Sequence, residues 1–81
     1  MNKIKVLGSG SSGNCYSLDI NDEILLLDAG FKYKDILKFI DYRVDKVVGC
    51  LISHEHNDHT KGVKELVNNG IDVYALTSVF E

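Results

Sequence analysis

At 81 residues the chain has room for one small domain with a thin core, since a domain of this size buries only about 60% of the surface its unfolded chain exposes. Apolar residues at 44% and charged residues at 26% exclude intrinsic disorder, and a net charge of -3 with scattered lysines gives no cationic stripe to mark a nucleic-acid surface. No stretch approaches the roughly 20 apolar residues of a membrane span, and the first residues lack a signal-peptide core, so a cytoplasmic location without a membrane partner is expected.

The chain contains no proline, so Gly, Asn and Asp must punctuate it. Ile4 to Leu7 is a short β-rich run ending in GSGSSG. Cys15 to Ile20 is a second extended run, in which Tyr16 and Leu18 alternate with Ser17 and Asp19. Asn21 and Asp22 supply a tight turn into a third run, Glu23 to Leu27. From Lys34 to Tyr42 the period changes: Ile36, Phe39 and Ile40 fall at i, i+3 and i+4, with Leu37 widening the stripe, which predicts an amphipathic helix. Lys46 to Ser53, containing VVGCLIS, is the near-continuous apolar run of a strand covered on both faces. Val63, Leu66 and Val67 return to helical spacing, Asn68, Asn69 and Gly70 stop that helix, and Ile71 to Leu76 reads as a last strand. The expected order is β-β-β-α-β-loop-α-β, an α/β layer with a mixed sheet and two helices. Cys15 and Cys50 sit in apolar, strand-like surroundings and read as small buried hydrophobes, although the sequence leaves a bridge between them open.

Two motifs invite a chemical reading. Gly8-x-Gly10-x-x-Gly13 follows a predicted strand and has Asp28 further on, as a dinucleotide-binding fingerprint requires. That fingerprint also needs a helix opening at its third glycine, whereas Asn14 to Ile20 alternates like a strand, so a dinucleotide-binding module is the second reading. The other motif is LISHEHNDHT, Leu51 to Thr60, which holds all three histidines of the chain. Imidazole and carboxylate together are ligands for zinc and similar divalent ions. In extended backbone His54 and His56 point to one side, while Asp58 and His59 lie past a turn and can address a second point nearby. Two adjacent metals are then feasible, and such pairs supply hydroxide at neutral pH and stabilise attacking and leaving oxygens. Gly62 lets backbone approach this segment closely, and Thr60 can help fix it. The plainer alternative is a set of surface-loop histidines with Asp58 as a helix cap.

His54-x-His56-x-Asp58-His59-x-x-Gly62 resembles the metal-binding signature of the metallo-β-lactamase-fold hydrolases. LLLDAG, containing Asp28, resembles that superfamily's strand-end aspartate, and LGSGSSGNCY resembles the opening of a bacterial and phage branch of phosphodiesterases and exonucleases. The resemblance implies that residues 1–81 are the N-terminal part of an αββα sandwich. It implies His54 and His56 as ligands of a first zinc, Asp58 and His59 of a second, with Mn2+ or Fe as alternatives. Asp58 is also implied in catalysis, and Asp28 as a residue just outside the ligands that orients them. Hydrolysis of phosphodiester bonds by a metal-activated hydroxide, with nucleic acid as substrate, follows from the branch, while the ligands alone leave β-lactam, lactone and thioester substrates open. Ser11, Ser12 and Asn14 are expected beside the cleft, and Tyr16, Tyr33, Phe39 and Tyr42 in packing. The superfamily takes two more histidines and a bridging aspartate from downstream, and here only Asp72 follows, so the 81 residues are expected to be incomplete and inactive without the C-terminal half of the fold.

Overall fold

The computed structural model of the chain describes residues 2–10, 13–53 and 60–75. Five strands form one sheet in sequence order: β1 (Lys3–Gly10), β2 (Gly13–Ile20), β3 (Glu23–Leu27), β4 (Val47–Ile52) and β5 (Val73–Ala75). β1, β2 and β3 form an antiparallel meander, and β3, β4 and β5 run parallel. Each parallel step requires a crossover, provided by helices α1 (Tyr33–Phe39) and α2 (Val63–Asn68). The expected mixed sheet with two helices is therefore present.

Local chemistry explains the turns. Asn21 and Asp22 take φ of 51° and 67°, the two-residue hairpin conformation in which Asn and Asp are well tolerated, and Ile20 pairs with Glu23 across it. The first helix is shorter than its apolar stripe suggests. Asp41 and Tyr42 turn left-handed at φ 59°, and the Asp41 and Tyr42 N–H groups donate back to the carbonyls of Lys38 and Leu37. This double return bond ends the helix without a glycine. Tyr42, beyond the stop, is exposed, whereas Tyr16, Tyr33 and Phe39 are half-buried as expected. The second helix stops where Gly70 predicts: Gly70 at φ 85° and Ile71 donate to Val67 and Leu66, and Ile71 is buried with Leu66.

Both helices lie on one face of the sheet, where Ile24, Leu26, Cys50 and Ile52 pack with Ile36, Ile40 and Leu66. The alternation of β2 is present, but its polar set, Ser17 and Asp19, is on this covered face. Asp19 is kept there by partners: the Ser17 hydroxyl donates to Oδ1 at 2.6 Å and Arg43 Nη2 to Oδ2 at 3.0 Å. The Ser17 hydrogen bond chiefly, with Arg43 and Lys5, holds the Asp19 carboxyl below its ordinary range against the opposing effect of burial. The apolar set instead builds the opposite face. There the register aligns Ile4 with Leu18 and Leu25, and Val6 with Tyr16, Leu27, Leu51 and Tyr74. Ile4 is 71% exposed, Val6 57% and Tyr74 55%, so no described element covers this face. The β4 run is thus covered on one face rather than two.

Two predictions follow from this packing. Asp19→Asn lowers stability at pH 7 by about 1–3 kcal/mol by weakening a buried charge-assisted pair. Because the folded carboxyl titrates below the unfolded one, near 3.9, wild type loses this advantage as pH falls through the acid range, and urea midpoints at pH 7 and pH 3 should converge between the two proteins. Gly70→Ala costs about 1 kcal/mol in the same measurement through left-handed backbone alone, since an added Cβ meets nothing within 4 Å.

Candidate functional site

Because β3 and β4 are parallel neighbours, their carboxyl ends open at the same end of the sheet. Asp28 follows β3 and Ser53 follows β4. The Asp28 N–H donates to Leu51 O at 2.7 Å, and Asp28 takes φ 63°, which turns its side chain back toward the β4 exit. Its carboxylate, 5% exposed, accepts the Ser53 N–H at Oδ1 (2.8 Å), while the Ser53 hydroxyl lies 3.0 Å from Oδ1 and 2.9 Å from Oδ2. Asp28 is therefore bound to the residue immediately before His54.

The same end of the sheet gathers the other motifs. Gly30 N donates to Asn14 O at 2.9 Å, which brings the glycine loop against the segment after β3, and Gly62 N donates to Ala29 O at 2.7 Å, which brings the start of α2 there too. A Cβ on Gly62 would stand 2.6 Å from Phe31 O and 2.8 Å from Ile36 Cδ1, so the close approach expected of this glycine is real. The glycine loop borders the site, but Asn14 is engaged within it: its side-chain amide exchanges hydrogen bonds with the Gly10 N–H (3.1 Å) and Gly10 O (2.9 Å). Gly8 and Gly13 have a packing purpose, because a Cβ at either would meet the Phe31 ring, at 2.5 and 3.0 Å. Gly13 opens strand β2 rather than a helix, so the dinucleotide-binding reading of this loop fails.

His54, His56, Asp58 and His59 lie outside the described residues, as do Ser11 and Ser12. Among the described residues no group of three or more His, Cys, Asp and Glu side chains gathers as a metal site. Asp72 is placed at the wrong end for a bridging ligand. Its carbonyl accepts Cys50 N, it precedes parallel strand β5, and it lies three to four residues, roughly 10–13 Å, from the level of Ser53. Cys15 and Cys50 are fully buried beneath the site, and burial pushes both thiols up to about 12, with the Asp28 charge adding to it. They belong to β2 and β4 with β3 between, and the register offsets them by two residues along the strands, so their Cα atoms are more than about 9–10 Å apart, beyond the reach of a disulfide. No helix among the described residues is long and apolar enough to cross a membrane. Two contributors escaped the sequence reading. Ser53 carried a faint signal as a hydroxyl at the end of an apolar strand, directly before the first histidine; Phe31 carried none.

A strand meander continuing into parallel strands, with helices on one face and polar residues gathered at the parallel strand ends, defines the N-terminal part of the metallo-β-lactamase fold. The chain is similar to DIM-1 metallo-β-lactamase with a TM-score of 0.72, covering 98% of this chain and 45% of that one at 18% identity. It is similar also to the metallo-β-lactamase from Pontibacter korlensis, with a TM-score of 0.65 over 90% of this chain and 43% of the other at 16% identity. Within that fold, the family model described as Anti-Pycsar protein Apyc1 matches residues 3–74, and the chain belongs to this family. Its sequence is 42% identical to exodeoxyribonuclease WalJ of Streptococcus pneumoniae over 77 residues, covering 90% of this chain. It is 38% identical to exodeoxyribonuclease YycJ of Bacillus anthracis over 74 residues, covering 86%. The chain spans 29% and 28% of the length of these two relatives.

The buried thiols generate a direct prediction. In the folded protein neither cysteine should react with a thiol reagent at pH 8, and both should react on addition of denaturant, with no reductant required.

Proposed function

We propose that the chain contributes the first metal-binding segment of a metal-dependent hydrolase of phosphodiester bonds, with nucleic acid as substrate. The observation that carries this reading is Asp28, a nearly buried carboxylate fastened at a strand end to the residue preceding His54. The names of the two relatives support a nuclease over a lactamase.

The donor set fits zinc. Imidazoles at His54, His56 and His59 with a carboxylate at Asp58 are borderline-soft and hard ligands in the mixture that zinc takes, and Mn2+ or Fe would accept them too. His54 and His56 would hold one ion, Asp58 and His59 a second. When bound, such ions bring the pKa of water to about 7 and stabilise charge on the phosphoryl oxygens. The chain's own work is positional. Asp28, tied to the Ser53 N–H and hydroxyl, fixes the direction in which the histidine segment leaves β4 and would orient its ligands from just outside them. The glycine loop lies at the same mouth, where Ser11 and Ser12 would meet substrate oxygens. Asp58 would serve catalysis from the metal edge.

Neither ligand pair reaches the three protein ligands of a catalytic zinc, and the open sheet face is more apolar than a finished surface. The same proposal therefore includes a second half of the fold, which covers Ile4, Val6, Leu18 and Tyr74 and supplies the remaining ligands. A cytoplasmic setting, with nucleic acid at hand, belongs to it.

At its natural length the polypeptide should bind about two zinc ions and degrade DNA from its ends. His56→Ala should lower the metal content and reduce hydrolysis at least 100-fold, and residues 1–81 alone should be inactive with zinc added. Full hydrolysis by the His56→Ala protein, or a metal-free wild type that remains active in chelator, would overturn the reading.

A further inference from the structure

We propose that the segment from Asp28 to Phe31 is an abutment that fixes both ends of the histidine segment, with Ser53 and Gly62 as its positioning residues. This rests on the metal-binding reading of residues 54–59. It goes beyond that reading by naming what sets the geometry before any ion arrives.

At the entrance, the Ser53 N–H is committed to Asp28 Oδ1 at 2.8 Å, and the hydroxyl proton reaches either carboxylate oxygen, at 3.0 or 2.9 Å. The backbone one bond from His54 is thereby tied to a side chain that its own left-handed backbone holds in place. At the exit, the Gly62 N–H is committed to Ala29 O at 2.7 Å, and a Cβ added there would stand 2.6 Å from Phe31 O and 2.8 Å from Ile36 Cδ1, so no side chain fits. Residues 53 and 62 are thus pinned to positions 28 and 29 of a single short segment. That segment is wedged in turn: Phe31 fills the space that Gly8 and Gly13 leave free, and Ala29 is fully buried. With both anchors in place before metal binds, less ordering cost is charged to the binding step.

The test uses the polypeptide at its natural length with Ser53→Ala, Ser53→Thr and Gly62→Ala. Amide exchange across residues 54–61 is measured without metal, and zinc dissociation constants are measured by chelator competition. Ser53→Ala should speed exchange in 54–61 selectively, with strands β2 and β3 unchanged, and weaken zinc binding about 10- to 100-fold. Ser53→Thr, which keeps the hydroxyl, should restore both. Gly62→Ala should reproduce the effect from the other end, and if it does not fold, the Ser53 pair decides. Unchanged exchange and unchanged zinc affinity in Ser53→Ala overturn the proposal, as does a loss of protection spread evenly over the sheet. If wild type binds no zinc, the hydrolase reading fails. The exchange data then decide the abutment alone, faster exchange in Ser53→Ala upholding it and unchanged exchange sinking it.

Discussion

A carboxylate with almost no access to water must be met by donors, because an unpaired buried charge is far costlier than any single contact is favourable. In this protein that constraint falls on Asp28. The main chain and hydroxyl of Ser53 both donate to it, and these bonds lock the carboxyl ends of β3 and β4 together. The parallel pairing places the two residues side by side, and the left-handed turn at Asp28 aims the carboxylate across the gap. Most of what is distinctive about this end of the sheet follows from that bond.

The close approach of three backbone segments follows too. Once the chain after β3 is held against β4, Ala29 to Phe31 occupy the space where the glycine loop and the start of α2 also arrive. Gly13 and Gly62 are where they must be for steric reasons, each facing a carbonyl or ring that a methyl group would strike. Two of the three glycines that spell a phosphate-binding fingerprint, Gly8 and Gly13, are therefore explained by an aromatic ring, which shows how a short motif can satisfy a pattern for an unrelated physical cause.

Much of this architecture was legible in the residues. The Asn21-Asp22 turn, the Gly70 stop and the two helical stripes are local signals, determined by chemistry within a few positions, and they appear where expected. The end of α1 was not, because its left-handed stop carries on from Asp41 into Tyr42, an aromatic residue with no preference for that backbone. The orientation of β2 was not either. Alternation gives a period without saying which set is inside, and Asp19 is accommodated beneath the helices by the Ser17 hydroxyl and by Arg43, the latter a partner 24 residues further on. At the site, Asp28 could be singled out from its motif, while its partner could not, since Ser53 becomes meaningful only when β4 is laid parallel to β3.

The first strand carries a further implication. β1 is eight residues long and stands at the margin of the described sheet, the arrangement most prone to recruit a stray strand from another molecule. Its regular hydrogen-bonding ladder is broken between Val6 and Gly8, and it bears two ammonium groups, Lys3 and Lys5, the second leaning inward to Phe39. An irregular, charged border of this kind disfavours lateral stacking of copies along β1, the direction in which a flat, regular edge would invite fibril-like growth.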